Sequence, residues 1–290
     1  MCDNGKSYES LKGEQETSND ISNVSPEDID GACISVNAQM VIHRHDVEYK
    51  MSHTHRGPAL IFSHEHFNYK NLPSRPETNI DSKNLKCVLK KLGFNVKVYK
   101  DSCYKELNKT IENAVAADHT NHDCILIAVL THGDSDTVYA KDGEYQLKSI
   151  WESFKAEKCP SLAGKPKLFI VQACQGKLRD PGYVLHSKGH TETDSVSNSS
   201  YKIPNYADFL IAFCTIPNYR SWSNTSTGSW FIYNLCEELE ANGKTLDMLN
   251  LLTFVAQRVA NCESYEYQAK QISFTMSTLT RVLRFGSPPI

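Results

Sequence analysis

Cys174 and His132 have types and settings that could do chemistry. The run Lys167-Leu168-Phe169-Ile170-Val171-Gln172-Ala173-Cys174-Gln175-Gly176 reads as a buried strand whose polar end carries Gln172 and Cys174. Gly176 then permits a sharp turn. A second doubly buried strand, Cys124 to Leu130, is followed directly by Thr131-His132-Gly133. In open α/β sheets, active sites collect at the carboxyl ends of strands. If these two strands are neighbours, an imidazole and a thiol meet at one rim of the sheet. A Cys–His pair makes a nucleophile at neutral pH, because the imidazole stabilises the thiolate and then protonates the leaving amine. Gly133 has no side chain, so its N–H can face a reacting carbonyl and, with the Cys174 N–H, form an oxyanion hole. Singly, a buried cysteine is more often structural and a turn histidine more often a loop residue. The pairing carries the inference.

The elements that must hold these residues follow from periodicity. Pro58 to Phe62 predicts a short buried strand, and Asn79 or Asp81 can cap a helix bearing Leu85, Val88, Leu89 and Leu92 up to Gly93. Phe94 to Tyr99 alternates as a half-buried strand, and Ser102 caps a helix through Ala117. Asp142-Gly143 marks a turn, followed by a helix around Ile150 to Phe154. After the Cys174 strand, residues 177–203 lose every apolar period. Asp208 to Cys214 is another buried strand, followed by helices at 229–241 and 245–260, the second capped by Thr245. A last strand spans Phe274 to Phe285. Such strand–helix alternation implies right-handed crossovers and a mostly parallel sheet.

The 290 residues suffice for a sizeable core, and residues 1–50 are polar and aperiodic, as in a disordered arm. A net charge of −3 without a basic run gives no electrostatic case for nucleic acid. No stretch reaches the roughly 18 apolar residues of a membrane span. The first residues are too polar for a signal peptide, and Cys2 stands where myristoylation needs glycine. The ten cysteines include no Cys-x-x-Cys pair, and several lie inside apolar segments, so reduced thiols in a cytoplasmic protein are expected. The pairs His43/His45, His53/His55 and His64/His66 lack zinc-ligand spacing, and neither a metal nor a cofactor is expected.

Taken together, Thr131-His132-Gly133, Gly164 to Ile170, Gln172-Ala-Cys-Gln-Gly176, Asp208-Phe-Leu and Gly228-Ser-Trp-Phe231 resemble an effector-type, insect-like caspase, in family order from about Arg56 to Phe285. The resemblance implies an open, six-stranded, mostly parallel α/β sheet flanked by helices. It implies a prodomain (1–50), a large-subunit part (51–176), an inter-subunit linker (177–203), a small-subunit part (204–286) and a tail (287–290). It also implies a zymogen that becomes an apoptotic endopeptidase cutting protein substrates after exposed aspartates. His132 would be the general acid/base, Cys174 the nucleophile, and Gly133 an oxyanion donor. Arg75 and Gln172 would bind the substrate aspartate. Trp222, Asn224 and Trp230 would line the groove, although the two tryptophans could also be core. Asp30 and Asp194 would be processing sites for the chain itself or an upstream initiator caspase. A homodimer, or a heterodimer with another caspase, and an inhibitor-of-apoptosis protein are the implied partners, with no nucleic acid and no membrane.

The chain departs from the family in Tyr219-Arg-Ser-Trp-Ser-Asn224. Ser223 stands where active relatives carry a second aspartate-binding arginine, and Arg220 stands where they carry an aromatic. Losing one guanidinium removes charge-assisted hydrogen bonds worth about 1.5–3 kcal/mol each. Arg220 lies three residues away on an extended strand and points to the other face. The loop Asn261 to Gln271 is also shorter than in typical effector caspases. Two readings follow: an active protease, or a weak or inactive homologue serving as decoy or regulatory dimer partner.

Overall fold

The computed structural model describes residues 45–181, 204–224, 226–264 and 266–286. Strands β1 (Pro58–Ser63), β2 (Asn95–Lys100), β3 (Ile125–Leu130), β7 (Lys167–Gln172), β8 (Phe209–Phe213) and β11 (Phe274–Ser277) form one open sheet. Its order is β11-β8-β7-β3-β1-β2, parallel except for β11. This is the six-stranded, mostly parallel α/β sheet that the sequence implied. Strands on both sides of residues 182–203 share it, since β7 pairs with β8.

The core follows from the two-residue period of buried strands. Leu126, Ala128, Leu130, Leu168, Ile170, Leu210 and Ala212 face one side, where helices α1 (Glu77–Lys91), α4 (Trp230–Asn242) and α5 (Met248–Asn261) cover them. Ile125, Ile127, Val129, Phe169, Val171, Phe209, Ile211 and Phe213 face the other, under α2 (Tyr104–Ala116) and α3 (Lys148–Glu152). Each large apolar side chain so removed from water contributes about 1.5–3 kcal/mol.

Several boundaries differ from expectation. Helix α1 starts after Pro76 without a side-chain cap, so neither Asn79 nor Asp81 caps it. Asp81 is buried and instead accepts from the Ser229 N–H at 2.8 Å and the Ser229 hydroxyl at 2.5 Å. It thereby ties α1 to the short strand β10 (Gly228–Ser229). Helix α2 is capped by Cys103 with Glu106 in a capping box, and Ser102 is buried just before it. Helix α5 is capped by Asp247, whose carboxylate takes the Leu249 and Asn250 N–H groups at 3.1 Å, and not by Thr245. Strand β11 stops at Ser277. Beyond it Leu283 and Phe285 are buried as loop residues, because the Phe285 carbonyl accepts from Arg56 at 2.7 Å instead of from a strand. A three-stranded meander, β4 (Gly133–Asp134), β5 (Thr137–Tyr139) and β6 (Glu144–Gln146), follows β3. Strand β9 (Ser223–Asn224) pairs with β10. No helix among the described residues is long and apolar enough to cross a membrane.

Candidate active site

The register of β3 and β7 builds the site. Leu130 lies opposite Gln172, and the Thr131 N–H continues the ladder to the Gln172 carbonyl at 3.0 Å. His132 and Cys174 therefore each leave the sheet two residues past a paired position, on adjacent strands. A Cβ on Gly133 would sit 2.5 Å from the Cys174 carbonyl oxygen and 3.0 Å from the Ala173 Cβ, so only glycine permits this approach. The Tyr139 N–H bonds to the His132 carbonyl, which makes Gly133–Val138 a non-hydrogen-bonded pair. The Gly133 N–H thus points away from its hairpin. Gly176, at φ 153°, passes so close to Asn218 that a Cβ would lie 2.3 Å from its carbonyl oxygen.

His132 Nε2 lies 2.8 Å from the Pro73 carbonyl, an obligate acceptor, so that nitrogen carries the proton and Nδ1 keeps its lone pair. Phe67 packs on the ring at 4.9 Å between centroids. Burial holds the His132 pKa below its ordinary value and the nearby Arg75 charge acts in the same direction, whereas the Pro73 bond opposes them. The imidazole is thus neutral and ready to accept a proton. Cys174 Sγ lies 3.5 Å from the Ser221 hydroxyl, and no direct hydrogen bond joins it to His132. Catalytic contacts commonly tighten only when substrate is bound.

Arg75 and Gln172 are buried with polar atoms unpartnered. Arg75 Nε is 3.4 Å from Glu77, but its Nη1 has no partner. Gln172 Nε2 meets the Ser221 hydroxyl at 3.2 Å, and its Oε1 has none. Buried groups of this kind are uncommon in native proteins. Ser221 touches both Gln172 and Cys174, yet sequence reasoning passes over it, as it does the Pro73 carbonyl. For Ser221 a signal exists: it sits two residues before Ser223, so an extended chain turns both to one face.

The remaining candidates surround this centre. Trp222 stacks on Trp230 at 6.2 Å and meets Tyr267 in a tilted contact at 5.4 Å, and both tryptophans are half-buried, not core. Asn224 is exposed and closes its own turn, accepting from the Ser226 N–H at 2.8 Å and hydroxyl at 2.6 Å. Ser223 and Arg220 are exposed, and the Arg220 N–H donates to the Leu178 carbonyl at 2.9 Å. Asp30 and Asp194 lie outside the described residues, as does His43. Among the described residues no group of three or more His, Cys, Asp or Glu is arranged to hold a metal. His53 and His66 bond instead to Asp123 and Asp101, and His64 to the Ser102 carbonyl.

Residues 56–284 match the family model described as the caspase domain. Caspase drICE of Drosophila melanogaster is 54% identical over 256 residues, covering 86% of this chain and 75% of that protein. Caspase-1 of Spodoptera frugiperda is 50% identical over 256 residues, covering 86% and 85%. The crystal structure of the Spodoptera caspase-1 matches with a TM-score of 0.80 at 48% identity, over 87% of this chain and 98% of that one. With a histidine and a cysteine at adjacent strand ends of the matching fold, the chain belongs to the caspase family, the cysteine-type endopeptidases of apoptosis.

Proposed function

We propose that the protein is an endopeptidase that cuts after aspartate and acts in apoptosis. The observation that carries this reading is a buried guanidinium N–H of Arg75 and the buried amide oxygen of Gln172, neither with a partner, beside the Cys174–His132 rim. A carboxylate suits the guanidinium, whose fork matches its two oxygens. The Ser221 hydroxyl both donates and accepts, so the Gln172 amide can turn over and present its N–H to that carboxylate.

In this reading His132 Nδ1 takes the Cys174 proton, and the sulfur attacks the carbonyl carbon of the aspartate. The oxyanion is held by the Gly133 and Cys174 N–H groups. His132 returns the proton to the leaving amine, and water then cleaves the thioester. Residues 51–176 and 204–286 are the large- and small-subunit parts, separated by cleavage after Asp194 in the linker 177–203. Cleavage after Asp30 releases most of the arm 1–50. The active form is a cytoplasmic dimer, with an initiator caspase upstream and an inhibitor-of-apoptosis protein as regulator.

Ser223 favours a second reading, a weak or inactive homologue acting as decoy or dimer partner. Its exposed hydroxyl offers no charge to the aspartate pocket. The two are separated by assaying wild type, Cys174→Ala and Ser223→Arg on a fluorogenic tetrapeptide ending in aspartate. Turnover by wild type that Cys174→Ala abolishes sustains the protease. Turnover only in Ser223→Arg sustains the decoy. In an active wild type, Ser223→Arg raises kcat/KM on the order of tenfold to a hundredfold.

A further inference from the structure

Resting on the reading of Cys174 as nucleophile, we propose that Arg220 and Arg179 make the enzyme select an acidic residue immediately before the cleaved aspartate. Ser221 turns its hydroxyl toward Gln172 and Cys174, whereas Trp222 turns its ring to Trp230 and Tyr267. Side chains alternate along extended chain, so Arg220 lies on the Trp222 face. Leu178 bridges Tyr219 in parallel, with the Leu178 N–H on the Asn218 carbonyl and the Arg220 N–H on the Leu178 carbonyl. The next residues, Arg179 and Arg220, are therefore cross-strand neighbours on one face. Like charges directly opposite repel. Arg179 lies 4.0 Å over the Tyr267 ring. Both arginines are exposed, and among the described residues neither has a carboxylate partner. Glu266 hydrogen-bonds the Tyr267 phenol and holds its pKa up, against the charges of Arg179 and Arg220.

The Trp230 N–H bonds to the Trp222 carbonyl, which makes Ser223–Ser229 a non-hydrogen-bonded pair. The Ser223 N–H and C=O thus face outward, ready for an extended substrate. Cross-strand neighbours share a face. A substrate whose aspartate enters the Gln172 side must present its preceding residue to Trp222, Arg220 and Arg179. Two guanidiniums there favour a carboxylate over an apolar side chain.

The test uses full-length protein and three fluorogenic tetrapeptides that differ only in having Glu, Gln or Val before the aspartate. The expected kcat/KM for Glu exceeds that for isosteric Gln by about tenfold in 0.1 M salt and by less in 0.5 M salt. Arg220→Tyr is expected to abolish the preference and favour Val, and Arg179→Ala to weaken it. Equal or faster turnover of the Gln or Val peptide by wild type overturns the proposal. If wild type turns over none of them, the protease reading fails, and calorimetric binding of the same peptides decides this one. Binding of the Glu peptide that is tighter by about tenfold supports it, and equal or no binding overturns it.

Discussion

At the carboxyl end of β3 and β7, Arg75 Nη1 and Gln172 Oε1 are buried without partners. At the amino end of the sheet, equally polar groups are densely partnered. Lys165 Nζ donates to the carbonyls of His119, Thr120 and His122, each at 2.7 Å. Arg56 bonds to Asp123 at 2.9 Å and to the Leu92 and Phe285 carbonyls, and Asp123 also takes His53 at 2.8 Å. His119 lies between the Ala114 carbonyl and His122 Nδ1, at 2.7 and 3.0 Å. This end even has a roomy hollow, about 500 Å³ beside His55 and His122. Charge, histidine and cavity therefore do not distinguish the ends. What distinguishes them is whether the buried donors and acceptors are already engaged. Engaged groups hold the loops between elements, whereas unengaged buried ones are exceptions that call for a cause.

If that contrast is right, substitutions at the two ends have effects that do not interchange. Cys174→Ala should lower kcat at least about 10³-fold in the peptide assay and leave the melting temperature nearly unchanged. Arg56→Met takes the guanidinium from the buried Asp123 carboxylate, which keeps only His53, and urea unfolding should show a loss of about 3–5 kcal/mol. Lys165→Met leaves the Thr120 and His122 carbonyls unserved, the His119 carbonyl keeping the His122 N–H, at about 1–3 kcal/mol for each one that water does not reach. Either of the latter two variants losing activity without losing stability would show that the amino end is functional.

Acid tests the contrast a second way. Burial holds His119 and His122 below the ordinary histidine pKa of 6.5, and for His122 the neighbouring His119 adds to it. Below pH 6.5 the unfolded chain binds protons that the folded one refuses, so stability falls as pH falls. The slope should approach about 1.4 kcal/mol per pH unit for each histidine kept neutral. Thermal melts from about pH 7 to about pH 5 should show this, and His119→Gln should flatten it. Lowered by burial in the same way, His132 should place the acid limb of kcat/KM below pH 6.5. Smallest of all, Ser221→Ala should change KM only a few-fold, since Gln172 and Cys174 each lose one neutral contact.

Much of this is legible in the sequence. Apolar runs such as Ile125 to Leu130 and Leu168 to Val171 suit central strands, and His132 and Cys174 follow close behind them. Helix caps are less legible. Several polar residues near each start can cap equally well, and tertiary packing and the preceding turn decide among them: Asp81 is drawn to Ser229, and the turn on the Asn242 carbonyl leaves Asp247 rather than Thr245 to meet the free N–H groups. The stretch that carries Leu283 and Phe285 inward matches a strand but is a loop pinned by Arg56.

The central strands, and the places of Cys174 and His132 just beyond two of them, are written in local apolar period and residue chemistry. Tertiary packing was needed to place Leu130 opposite Gln172, to fix the His132 proton against Pro73, and to bring Ser221 to both Gln172 and Cys174. Those contacts join segments far apart in the chain. Strand register and loop packing set them, and no local pattern encodes either.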